Sequence, residues 1–208
     1  MQQQQNPNQS FTSSTSMPAE QSHAAHELFD AHETLSGFIG AIEHYKMYES
    51  QIQSQQLKNI WQNQFNYLCQ TYNTIVDAYQ TGKRPAQPTT TYNMQLSNNV
   101  TYGVSQGQPK QPTLNPQQLS DQHFSSYMMG HLKACATSCT TAALEATNPV
   151  LRRVLQDSVP NICEMAYEIF LYQNENGYYQ VPQFDQQTQQ WITNMYTQMS
   201  PPSQQQQH

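Results

Sequence analysis

The tripeptide Thr147-Asn148-Pro149 interrupts the longest helical pattern in the chain, and most of what the chain can become follows from it. Upstream, apolar residues recur three or four apart at Phe124, Met128, Leu132, Cys135, Cys139, Ala142 and Ala146. Downstream, the face continues through Val150, Leu151, Val154, Leu155, Val159, Ile162, Cys163, Ala166, Ile169 and Phe170. Asn148 is a helix N-cap by type, and Pro149 suits a first turn, where no N–H is needed. Gly177 supplies the left-handed residue that ends a helix. The pattern predicts two helices, about residues 120–146 and 149–176, folded back on each other as an antiparallel hairpin.

The N-terminal half predicts a second hairpin. A helix over residues 21–53 carries Leu28, Leu35, Phe38, Ile39, Ile42, Tyr45 and Ile52, with Gly37 and Gly40 admitting a close neighbour. A helix over residues 55–81 carries Leu57, Ile60, Trp61, Phe65, Leu68, Cys69, Tyr72, Ile75, Val76 and Tyr79, and Gly82 ends it. A shift of 94 residues lays Leu57 on Leu151, Leu68 on Ile162, Cys69 on Cys163, Ile75 on Ile169 and Pro88 on Pro182, with Gly82 one residue short of Gly177. The hairpins 21–82 and 119–177 are therefore expected to superpose, with Cys69 and Cys163 equally deep. The Pro-rich linker 83–118 is long for a loop and suits a crossover. Residues 185–199 predict a short fifth helix, capped by Asp185 and docked through Trp191, Met195 and Met199. The expected fold is an all-α antiparallel four-helix bundle spanning residues 20–200.

Only 11% of the residues are charged, and the polar load falls on 35 glutamines. Residues 1–19 and 201–208 are Gln-rich, low-complexity and short of apolar surface, so both are expected to be disordered tails. A net charge of −6 provides no basic footprint for nucleic acid. No apolar run is long enough to span a membrane. Residues 1–10 lack the positive charge and apolar core of a secretory signal, so synthesis in the cytoplasm is expected.

One part of the chain is similar to a known family. His131-Leu132-Lys133, then Ala142-Ala143-Leu144-Glu145-Ala146-Thr147-Asn148-Pro149-Val150-Leu151-Arg152, then Phe170 and Gly177-Tyr178-Tyr179-Gln180 together resemble the spore coat protein F family. That family has a Leu-Lys start, a Glu-Thr/Ala-x-Asn-Pro-x-Leu-Arg turn and a closing Gly-Trp-Tyr. Here Tyr178 replaces the usual Trp, and Pro160-Asn161 stands where acidic residues are common. The resemblance implies a ferritin-like helical hairpin deposited in a bacterial endospore coat from the mother cell, among other coat proteins. It implies no established enzymatic activity.

A ferritin-like bundle raises the question of a di-metal site, which needs Glu and Glu-x-x-His ligands from four helices. The first helix offers Glu20, His23, His26, Glu27, Asp30, His32, Glu33, Glu43 and His44, and the fourth offers Glu164 and Glu168. The second offers only Asp77, so half the ligand set is missing. A weaker candidate is His131, Cys135 and Cys139, one turn apart, with Cys163 facing them as soft zinc ligands. All four cysteines also fit core positions, because free cysteine packs as a small apolar residue. The expectation is therefore no metal, no cofactor and no catalytic residue; no nucleophile-and-base set and no phosphate loop is legible. The favoured function is a non-enzymatic structural coat component, and the alternative is a ferritin-like metal-binding or redox protein. Low charge with abundant Gln and Tyr favours association, including self-association, and makes the tails and linker targets for cross-linking chemistry.

Overall fold

The computed structural model describes residues 23–199. Both expected tails, and the first two residues of the first expected helix, lie outside these. The described residues form five α-helices: α1 (Ala25–Tyr48), α2 (Gln55–Thr81), α3 (Asp121–Glu145), α4 (Pro149–Glu175) and α5 (Gln186–Thr193). Single 3₁₀ turns occupy Glu49–Gln51 and Pro116–Gln118. Among the described residues there is no strand, only isolated bridges from Tyr102 and Gly103 to Val181.

Local chemistry sets the helix ends. The Ser54 hydroxyl accepts from the Leu57 amide at 3.3 Å and starts α2. The Asn148 side chain accepts from the Val150 and Leu151 amides at 2.9 and 3.0 Å and starts α4. Gly82, at φ 62°, closes α2, where any other residue would pay for a left-handed backbone. The Asn148 amide group also donates to the Gly82 carbonyl at 3.2 Å, so one side chain starts α4 and ties down the end of α2.

The long helices pack α1 against α2 and α3, and α4 against α2 and α3. The buried stripe of α1 is Glu27, Ala31, Thr34, Phe38, Ala41, Tyr45 and Tyr48, alternating four and three apart. Shifted by 94 residues it becomes Asp121, Ser125, Met128, Leu132, Cys135, Cys139 and Ala142, every one buried on α3. The same shift carries Gln55–Thr81 onto Pro149–Glu175, so α2 and α4 have equal length and register. Phe38, Tyr45, Leu57, Leu68, Phe124, Leu132, Leu151 and Ile162 are among the fully or nearly fully buried side chains of one core.

Several expectations change. The first helix stops at Tyr48 rather than residue 53, because the amides of Gln53 and Ser54 are taken by a carboxylate of α3. Its expected apolar face was only partly right: Leu28, Leu35 and Ile42 are half-buried and Ile39 is exposed, while alanines, a threonine and Glu27 face inward. Gly37 and Gly40 permit no close contact, since a methyl group at either would meet nothing within 4 Å. The fifth helix ends at Thr193 and has no buried residue; Trp191, Met195 and Met199 are exposed, so it is not docked through that stripe. The cysteines expected to match do not: Cys69 is half-buried and Cys163 exposed. Each follows a core residue, Leu68 or Ile162, and lies at the margin of its stripe, where cover depends on the neighbouring segment.

Glu27→Ala and Asp121→Ala are each expected to lower unfolding free energy by about 1.5–3 kcal/mol, the usual worth of hydrogen bonds to a buried charge. Glu33→Ala, on the exposed face of α1, should change it by less than about 0.5 kcal/mol. Urea titrations of the three variants check this.

Candidate functional site

Among the described residues three carboxylates are buried: Glu27, Asp121 and Glu168. Carboxylates taken out of water must be paired or hydrogen-bonded, and each has a defined set of donors. Glu27 Oε2 accepts from the Thr147 amide and hydroxyl, both at 2.6 Å, and from the Asn148 amide at 2.9 Å, while its other oxygen meets His23 Nδ1. Asp121 accepts from the Gln53 amide at 2.9 Å and the Ser54 amide at 2.7 Å. The first carboxylate of α1 and the first of α3 thus each clasp the turn of the other hairpin. These contacts join the start of α1 to the end of α3 and the start of α3 to the end of α1, so the two helices run antiparallel.

Burial alone would raise the Glu27 carboxyl, but the hydrogen bonds from Thr147, His23 and Asn148 outweigh it and hold the group below its ordinary 4.5. A depressed folded-state value stabilises the fold above the unfolded value. That stability is fully present above pH 4.5 and is lost as pH falls below it.

Glu168 does different work. Its oxygens accept from the Tyr92 hydroxyl, from the Gln95 amide at 2.6 Å and from Gln64 Nε2 at 3.3 Å. Gln64 in turn accepts from the Tyr45 hydroxyl at 2.9 Å and donates to the Met165 carbonyl at 2.9 Å. The buried network therefore ties α1, α2, α4 and the crossover together. The crossover runs back along α2, with the Ala86 amide on Asp77 at 2.9 Å and the Tyr67 hydroxyl on the Thr90 carbonyl. It then follows α4, with the Tyr92 amide on Asn161 and the Thr101 amide on Asn174, both at 2.7 Å, and the Ser105 amide on Gln180 at 2.7 Å. Residues 86–105 are a strap along the α2–α4 seam, not a free segment; Tyr92 is buried. Residues 105–112 beyond it are exposed and include Gln106, Gln108, Lys110 and Gln111.

The expected ligand sets do not assemble. Among the described residues no three His, Cys, Asp or Glu side chains converge as a metal site. Glu27 and Glu168, the buried acids of the di-metal set, are committed to amides and hydroxyls. His26, His32, Glu33, Glu43 and Glu164 are exposed, and Glu20 lies outside the described residues. Cys135 and Cys139 are buried, and burial pushes the Cys135 thiol up to about 12 and Cys139 higher still. Neither is a thiolate near neutral pH. Cys163 points away from them, on the exposed face of α4. His131 joins none of these cysteines in a hydrogen bond; its Nε2 lies 2.9 Å from His44 Nδ1 on α1. Burial, then the neighbouring His44, holds the His131 imidazole below its ordinary value. Both rings edge an open apolar groove of about 610 Å³ between α1 and α3, shared with Met47, Tyr48, Phe124 and Tyr127.

Thiol labelling should follow this depth order. In the native protein Cys163 is expected to react first with an aromatic disulfide reagent and Cys69 more slowly, with Cys135 and Cys139 reacting only on unfolding. Mass mapping of the labelled peptides against time checks it.

Comparison with known proteins bears on the same elements. Residues 120–182 match the Coat F domain, which spans α3, the Asn148 turn, α4 and its closing glycine. The chain is 40% identical over 171 residues to the spore coat protein F-like protein YhcQ of Bacillus subtilis (strain 168), covering 82% of this chain and 79% of that one. No solved structure matches significantly. With that identity over most of both chains, and with the Coat F match on its second hairpin, the chain belongs to the spore coat protein F-like family.

Proposed function

We propose that this protein is a structural component of the bacterial endospore coat, made in the mother-cell cytoplasm and deposited on the forming spore. The single observation that carries the reading is the 40% identity to a spore coat protein F-like protein over most of both chains. The physical character of the chain agrees with it. The buried carboxylates Glu27, Asp121 and Glu168 hold turns and a strap, a role in rigidity. Among the described residues no helix is long and apolar enough to cross a membrane.

In this reading α1–α4 form an antiparallel four-helix bundle of ferritin-like type. The long crossover from α2 to α3 and the antiparallel α1–α3 contact support that connectivity. The bundle carries few charges to repel neighbours and meets other coat proteins, or further copies of itself, through exposed apolar residues. Trp191, Ile192 and Met195 on the α5 arm and Phe29 and Leu144 on the core are of this kind. The Gln-rich ends and the exposed stretch around Lys110 then serve as sites for covalent fixation, since reachable amides and amines are what a cross-linking enzyme needs.

A fluorescent fusion produced in sporulating cells is expected to move from the mother-cell cytoplasm to a shell around the forespore. A chain trimmed to residues 20–200 should keep the helical circular dichroism of the full chain yet extract more easily from spores. Diffuse mother-cell fluorescence through spore release would overturn the coat assignment. Equal extraction of trimmed and full chains would overturn the fixation step alone.

A further inference from the structure

The strap leaves the molecule two-sided. It lies along the α2–α4 seam, whereas the α1–α3 seam holds the open groove edged by His44 and His131. His44 is exposed and His131 half-buried, and among the described residues neither ring makes a second hydrogen bond. Two helices bring one nitrogen of each ring to 2.9 Å, with ring centroids 4.7 Å apart and planes 34° apart.

That spacing has a second reading beside a hydrogen bond. Two imidazole nitrogens bound about 2.0–2.1 Å from one ion, about a right angle apart, lie about 2.9 Å from each other. Allowing about 1.15 Å from nitrogen to ring centre, the centroids of such a pair lie about 4.5 Å apart. A straight imidazole–imidazole hydrogen bond of the same length would hold them about 5.2 Å apart. The observed 4.7 Å falls nearer the chelate.

We propose that His44 and His131 form a two-histidine chelate across the α1–α3 seam that takes one borderline divalent transition-metal ion. Copper(II) is favoured over nickel(II) and zinc(II) by the usual affinity order for nitrogen ligands, and by its tolerance of adjacent nitrogens in a tetragonal field. Water completes the coordination, because the groove is open and His44 faces solvent. No lysine or arginine lines the groove to repel a cation. With only two protein ligands the ion is exchangeable, unlike a resident di-metal centre. The site does not depend on the coat assignment.

The test uses the untagged full-length chain, freed of metal by a chelator and titrated with copper(II) against glycine as competitor, so that isolated histidines do not register. One copper per chain is expected. It should show nitrogen hyperfine structure from two imidazoles in the electron paramagnetic resonance spectrum, together with a rise in melting temperature. His44→Ala, at an exposed position, should keep the circular dichroism of the parent, weaken copper binding at least about tenfold and abolish the melting shift. His131→Gln should do the same, and His32→Ala, exposed on α1, should change neither. Copper binding and melting shift unaltered in His44→Ala, or lost in His32→Ala, would overturn the site, as would no copper-dependent melting shift in the parent chain.

Discussion

The register between the two hairpins rests on two buried carboxylates placed alike on α1 and α3. Glu27 takes the amides of Thr147 and Asn148, and Asp121 takes those of Gln53 and Ser54. The amides just ahead of α2 and α4 have no partner within those helices, and here they are wholly or partly buried. A carboxylate from the opposite hairpin solves this and adds the favourable interaction of a negative charge with a helix N-terminus. Because each hairpin supplies the acid for the other's turn, neither turn is satisfied alone. Register between the halves follows: sliding α1 along α3 by one turn would separate both acids from their amides.

The strap breaks the equivalence of the halves. Position 168 holds a glutamate where its counterpart on α2 is Thr74. Glu168 fastens the crossover at Tyr92 and Gln95, whereas Thr74 bonds the Gln70 carbonyl and only weakly meets Gln87, at 3.4 Å. One seam is therefore covered by chain and the other left open. Asn161, next to Pro160 inside α4, contributes on the same side: its oxygen accepts from the Tyr92 amide, and its nitrogen returns to the Asp157 carbonyl at 2.8 Å. An interior proline removes a helix hydrogen bond, and here it sits exposed on α4, at the groove that α4 shares with α3.

How much was legible in the sequence follows the kind of force involved. The helix pairs around Thr147-Asn148-Pro149 could be read because capping and periodicity are local. The stripe of α3 could be read because it is built from Phe124, Met128, Leu132 and the cysteines. The stripe of α1 was misread in part because four of its seven residues are Ala31, Thr34, Ala41 and Glu27, which hydropathy does not mark, while Ile39 is exposed. The clasp was missed for the same reason: Glu27 sits among many acids and histidines and reads as solvated. The signal was present, since the 94-residue shift that aligns Leu57 with Leu151 also lays Glu27 on Asp121 and Ser54 on Asn148. The His44–His131 pairing had no local signal, because it depends on how two distant helices cross.

A lock of two hairpins by reciprocal carboxylates makes a pairwise demand on four amides. Native-state hydrogen exchange of Gln53, Ser54, Thr147 and Asn148, followed by NMR, tests it most directly. In the parent chain all four should exchange slowly. Glu27→Gln should speed exchange at Thr147 and Asn148 well beyond any change at Gln53 and Ser54, and Asp121→Asn should do the reverse. Fast exchange at all four amides in the parent, or equal acceleration at both turns in each variant, would contradict the account.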